Sequence, residues 1–156
     1  ELKKIIKYST RFIAISSLVL FTISMIFAPS IVGTFSPRGT RVFDIGYKGF
    51  KLFSIGFLVT GVNIFASSMF TAFSNGRVSA TISFLRTFVF LIAGIIILPK
   101  FLGVNGVWLA VPLAEMLSMI ISLLYINKYK SVYGYGKDID TQNKDKKQSY
   151  KDIKEL

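Results

Sequence analysis

The stretch VSATISFLRTFVFLIAGIIILP, residues 78–99, is followed after one lysine by FLGVNGVWLAVPLAEMLSMIISLLYIN, residues 101–127. Both runs are of lipid-spanning length and apolar on most faces. A single formal charge interrupts each: Arg86 in the first and Glu115 in the second. A helix needs roughly 20 mostly apolar residues to cross a bilayer. Two further stretches, 12–37 and 52–76, have that length and no charge at all. Soluble helices of this size carry narrow apolar stripes, not hydrocarbon all round. With 52% hydrophobic residues and a mean hydropathy of +0.56, the chain lies outside the soluble range. It reads as an all-α membrane protein with four transmembrane helices at about 12–35, 50–73, 78–98 and 107–126.

Several classes are excluded early. The first span is too long for a cleaved signal and no small-residue cleavage pattern follows it. The chain has no Cys and no His, so it offers no disulfide framework, thiol chemistry or imidazole ligand, and no metal site is expected. An enzyme finds no support either. There is no HExxH, no phosphate loop and no second carboxylate beside the lone intramembrane Glu. The chain begins at Glu1 rather than Met, and a basic lead-in at 1–11 runs straight into the first span. This reads as a protein whose start lies upstream.

The net charge of +11 is a topology signal rather than a nucleic-acid signature. With four spans, thirteen basic residues fall on the side of the termini and the turn at Arg77. Only Arg38, Arg41, Lys48, Lys51 and Lys100 fall on the other. The positive-inside rule then puts both ends in the cytoplasm, where the basic excess also favours anionic headgroups.

Turn chemistry sets the expected boundaries. Pro29 is placed to bend the first span. Ser36-Pro37-Arg38-Gly39 makes an outer turn, and a second helix is expected from Thr40 to Phe73, with Asp44 favoured in its first turn. That helix exceeds one crossing, so it should tilt or project outward. Ser74-Asn75-Gly76-Arg77 makes a cytoplasmic turn. The third span is expected to stop at Pro99, and Gly103-Val104-Asn105-Gly106 is the next outer turn. Residues 128–156 form a polar, Lys-rich cytoplasmic tail expected to be frayed or disordered.

Helical spacing shows where polar groups point. Ser79, Ser83, Arg86, Phe90 and Gly94 share a stripe on the third span, opposite Phe84, Phe88, Ile92 and Ile95. On the fourth, Trp108, Pro112, Glu115, Ser118, Met119 and Ser122 oppose Leu113, Leu117, Ile120 and Leu124. Thr60, Asn63, Ser67 and Ser74 share a face of the second. Small and hydroxyl residues are the usual packing seam between membrane helices. Formal charge is different, because it costs about 2.5–3.5 kcal/mol at a helix centre and packing does not require it. An antiparallel hairpin turning near residue 103 sets Arg86 about five positions from the level of Glu115, an offset of about 7–8 Å. A pair between them, direct or through water, is expected, either to fix helix register or to serve transport.

The run from Ser68 to Arg77 with Ser83-Phe84-Leu85-Arg86 resembles the junction of helices ten and eleven in MATE (multidrug and toxic compound extrusion) exporters. Leu98-Pro99, Gly103 and the run Gly106-Val107-Trp108-Leu109-Ala110-Val111-Pro112-Leu113-Ala114-Glu115 resemble the start of their last helix. Ile45-Gly46 through Ser54-Ile55 resembles the entry of helix ten. The similarity covers about residues 3–130 and points to the bacterial branch that exports cationic drugs. It implies that the chain is helices nine to twelve of a twelve-helix, two-bundle transporter in the cell membrane. The remaining N-terminal spans would complete it. It also implies export of small organic cations against Na⁺ or H⁺, with no further cofactor.

In that frame Asn63, Arg86 and Glu115 face the interior or cavity. Phe70 and Trp108 are either aromatic contacts for a flat cation or packing and interfacial anchors. The tenth helix lacks the acid used in one branch, and Thr71 stands where related exporters often carry Gln. No complete coupling-ion site therefore transfers. Two alternatives stay open: a lipid-linked saccharide flippase of the same superfamily, or a four-helix scaffold or partner subunit that moves nothing.

The topology is testable in the full-length protein, since this stretch has no cysteine of its own. A membrane-impermeant thiol reagent applied outside should label Arg38→Cys and Lys100→Cys but not Arg77→Cys. The reverse pattern would invert the orientation.

Overall fold

The computed structural model describes residues 2–135, and they form helices without a strand. Helix α1 is Leu2–Phe35, α2 Arg41–Ser54, α3 Phe57–Ala72 and α4 Gly76–Phe84. A π-helical turn follows at Leu85–Phe90, then α5 at Leu91–Leu102 and α6 at Val104–Lys128. Three helical stretches are long and apolar enough to cross a membrane: Lys4–Phe35, Gly76–Leu102 and Val104–Lys128. The fourth candidate is the pair α2 and α3, bent by 44°. Large apolar side chains face outward along these helices, among them Phe12 at 72% exposure and Leu124 at 61%. The fully buried positions are instead mostly small or polar, such as Ala28, Ala66, Ser54, Asn63 and Ser122. That inversion is the pattern of a lipid-solvated bundle, whose helices meet through small and hydroxyl residues.

The expected single helix from Thr40 to Phe73 is two helices. Between them the backbone tightens to i→i−3 bonds, Ile55 N–H to Leu52 O at 3.3 Å and Gly56 N–H to Phe53 O at 2.9 Å. Ser54 Oγ donates to Phe50 O at 2.7 Å, one of the side-chain insertions that bend helices. Gly56 lets α6 approach at Pro112, whose Cα lies 3.6 Å from where a Cβ would stand. Thr40 caps α2 by accepting from Phe43 N–H at 3.2 Å. Helix α1 runs through Pro29 without a break.

The hairpin of α5 and α6 also differs from expectation. Pro99 does not stop the helix; it sits inside α5, and its carbonyl accepts the N–H of Gly103 at 2.9 Å. The stop is Gly103, with φ of +56°, a conformation that favours glycine. Helix α6 begins at once, so the turn between α5 and α6 is one residue rather than four. Gly106 lies against the Leu98 backbone and Gly94 against Ala110. These facing pairs centre the hairpin near residue 102. The π turn adds a residue to one turn, which rotates the rest of the span by about 100°. Helix α4 consequently faces α3 with Ser79 and Ser83, while α5 faces α6 with Gly94.

At the end of α6 away from the α5–α6 turn the chain does not fray at Asn127. Tyr129 to Tyr135 turn back on the α3–α4 corner. Tyr133 stacks on Phe73 at 4.5 Å between centroids, and its hydroxyl accepts from Asn75 Nδ2 at 3.0 Å. Tyr135 donates to the Ile126 carbonyl. Burial, with the Tyr133 phenol beside it, pushes the Tyr135 hydroxyl above the usual tyrosine range. The expectation of a disordered tail beyond residue 135 lies outside the described residues.

A Cβ at Gly106 would overlap the Leu98 carbonyl, which is backbone and cannot swing away. Gly106→Ala is expected to destabilise the full-length protein by about 1–3 kcal/mol, read as a lower midpoint in detergent unfolding. An unchanged midpoint would remove the hairpin contact as a constraint.

Candidate functional site

Asn63 stands mid-way along α3, where the sequence offers no other amide, and it is 1% exposed. Its Nδ2 donates twice to one residue of α6, to the Glu115 carbonyl at 2.8 Å and to Glu115 Oε2 at 2.7 Å. Its Oδ1 accepts from Ser122 Oγ, two turns further along α6, at 3.0 Å. One amide therefore satisfies a carboxylate and a hydroxyl while tying α3 to α6. Ser118 lies between those contacts on the same α6 face, and its Oγ is buried without a partner among the described residues.

The other carboxylate oxygen, Glu115 Oε1, faces Arg86 Nη1 at 3.9 Å. The expected pair is present, and the register of the hairpin explains why it is closer than the sequence suggested. A hairpin centred near residue 102 puts Arg86 level with about residue 118. That is three positions from Glu115, or about 4.5 Å of axial rise, rather than five positions. The π turn holds Arg86 at that point. The approach is an ion pair without a hydrogen bond, since a charged pair in hydrogen-bond contact sits at about 2.7–2.9 Å.

Arg86 and Glu115 border a cavity of about 260 Å³, whose wall also includes Thr60, Ile64, Thr87, Leu91, Val111 and Ala114. Phe70 and Trp108 belong elsewhere. Phe70 is fully buried, edge-on to Tyr125 and Tyr129 near the end of α6, and presents no face to a ligand. Trp108 lies over Gly49 of α2 and borders a separate apolar cavity of about 440 Å³ with Val32, Phe35, Ile45 and Phe50. Of the five candidates, Asn63, Arg86 and Glu115 converge and the two aromatics do not. Ser122 completes the cluster; the helical stripe carried it, but only as a packing position. Among the described residues, no group of three or more His, Cys, Asp or Glu side chains comes together to hold a metal.

Compared with family models, curated proteins and solved structures, the chain matches none of them.

Asn63→Ala strips the partner from Glu115 Oε2 and from Ser122 at once. It is expected to lower the stability of the full-length protein by about 1–3 kcal/mol. Asn63→Asp, which sets a second carboxylate beside Glu115, should lower it further at neutral pH. Wild-type unfolding midpoints in both variants would show that the network does not stabilise the bundle.

Proposed function

We propose that this chain is the C-terminal, four-span part of a cation-coupled multidrug exporter, moving small organic cations out against inward Na⁺ or H⁺. In this reading it resides in a bacterial cell membrane with both described ends in the cytoplasm, and it works with N-terminal spans of the same transporter. The observation that carries the proposal is Glu115. It is a mostly buried carboxylate in the middle of a spanning helix, positioned by Asn63 on one side and bordering a cavity on the other. Intramembrane acids mark ion and substrate paths because their cost demands a use. The order and spacing of the MATE-like segments supply the class of transporter.

A second reading has its own support. The Asn63 network already joins α3 to α6, so a scaffold or partner subunit would need nothing more than this seam. Export separates the two. The full-length gene, expressed in a drug-hypersensitive strain, should raise resistance to cationic drugs. Glu115→Gln should cut that gain by about tenfold, the equivalent of one charge-assisted contact, at unchanged protein abundance. If Glu115→Gln and Arg86→Ala both leave export and abundance intact, the site is misassigned; if the full-length gene confers no resistance at normal abundance, the scaffold reading takes the place of the transporter.

A further inference from the structure

The cavity beside Glu115 is lined by one charge of each sign, two threonines and four apolar side chains. Arg86 donates no hydrogen bond among the described residues, and its nearest carboxylate oxygen is at 3.9 Å. A guanidinium carries five donors in a planar fork suited to a carboxylate. Glu115 Oε2 is taken by Asn63, which leaves Oε1 as the acceptor facing the cavity. Ile64, Leu91, Val111 and Ala114 supply the apolar part of the lining, and Thr60 and Thr87 add two hydroxyls.

We infer that this cavity binds a small zwitterion of the α-amino-acid type with an apolar side chain. The ligand carboxylate sits on the Arg86 fork, its ammonium on Glu115 Oε1, and its side chain on the wall of Ile64, Leu91, Val111 and Ala114. The charges themselves make the selection. A simple cation drawn to Glu115 meets the guanidinium about 4 Å away, and a simple anion drawn to Arg86 meets the carboxylate. In surroundings less polar than water either repulsion is strong. A neutral apolar ligand leaves the donors of Arg86 without an acceptor. In an α-amino acid one carbon separates the two charged groups, so both are met at once and the four charges alternate in sign. The inference rests on the reading of this cavity as part of a transport path, and it narrows an organic cation to one that also bears a carboxylate.

The test uses the purified full-length protein in lipid nanodiscs and three probes of one shape. These are L-phenylalanine, L-phenylalaninamide with the ammonium alone, and N-acetyl-L-phenylalanine with the carboxylate alone. The amino acid should bind at least about tenfold more tightly than either derivative, one charge-assisted contact being worth that much. Arg86→Gln should bring L-phenylalanine down to the affinity of its amide, and Glu115→Gln down to that of the N-acetyl form. Arg86→Lys, which keeps the charge and loses the fork, should retain part of the preference and guards against a simple folding defect.

Equal affinity of amino acid and amide, or no binding of any probe, overturns the inference. Export of a cationic dye from cells without a zwitterion preference defeats this inference alone. A clear zwitterion preference with no export of any probe defeats the transport reading alone.

Discussion

A primary amide between two membrane-depth helices holds this structure in register. In hydrocarbon no water stands ready to satisfy a polar group, so each buried donor and acceptor must find its partner within the protein. Asn63 does this for four groups together: its own N–H₂ and C=O, the Glu115 carboxylate and the Ser122 hydroxyl. Sliding α3 past α6 by one residue would break all of these contacts. The rest of the α3–α6 seam depends on that fixed point. To one side of it the Gly56 break meets Pro112, and to the other Phe70 meets Tyr125 and Tyr129. Ala110, Ala114, Ser118 and Ser122 keep that face of α6 narrow enough for the approach.

The spans were legible because hydropathy over about twenty residues is a strong, redundant signal. The same averaging hides a break of two or three residues. Ser54-Ile55-Gly56 lies inside an apolar run, and only the pairing of a back-bonding serine with a glycine marks it. The π turn at Leu85–Phe90 left no recognisable trace, since its residues are ordinary helix and strand formers. Pro99 misled in the other direction. A proline near a helix end reads as a stop, whereas its backbone angle suits a helix that has one more turn to run.

The candidate site was legible as faces rather than as partners. Helical periodicity put Asn63, Arg86, Glu115 and Ser122 on inward stripes, and the hairpin brought Arg86 toward Glu115 across 29 positions of sequence. The bond from Asn63 to Glu115 joins residues 52 apart through an intervening helix pair, and no local pattern encodes it. The aromatic candidates lie apart from this cluster, and the sequence carries no sign of it. Phe70 and Trp108 have the chemistry to hold a cation, but chemistry says nothing of whether a ring is already covered. Tyr125 and Tyr129 cover Phe70, while Trp108 packs on Gly49 and borders a different cavity.

The two carboxylate oxygens of Glu115 do different work, and the difference bears on what Arg86 is for. Oε2 is engaged at 2.7 Å by an amide that already fixes the register of α3 on α6. Oε1 and the guanidinium stand apart at 3.9 Å, so the attraction is incomplete while the loss of hydration remains. A buried ion pair repays its desolvation only with close geometry and further hydrogen bonds, and an apolar pair of similar volume is often as stable. A charge kept solely to brace the hairpin would be expected to close that gap, and Gly94 on Ala110 already braces it through packing. On the inference drawn above, an arginine with its donors unspent, facing a cavity from one turn of π helix, serves what enters the cavity more than what holds its wall.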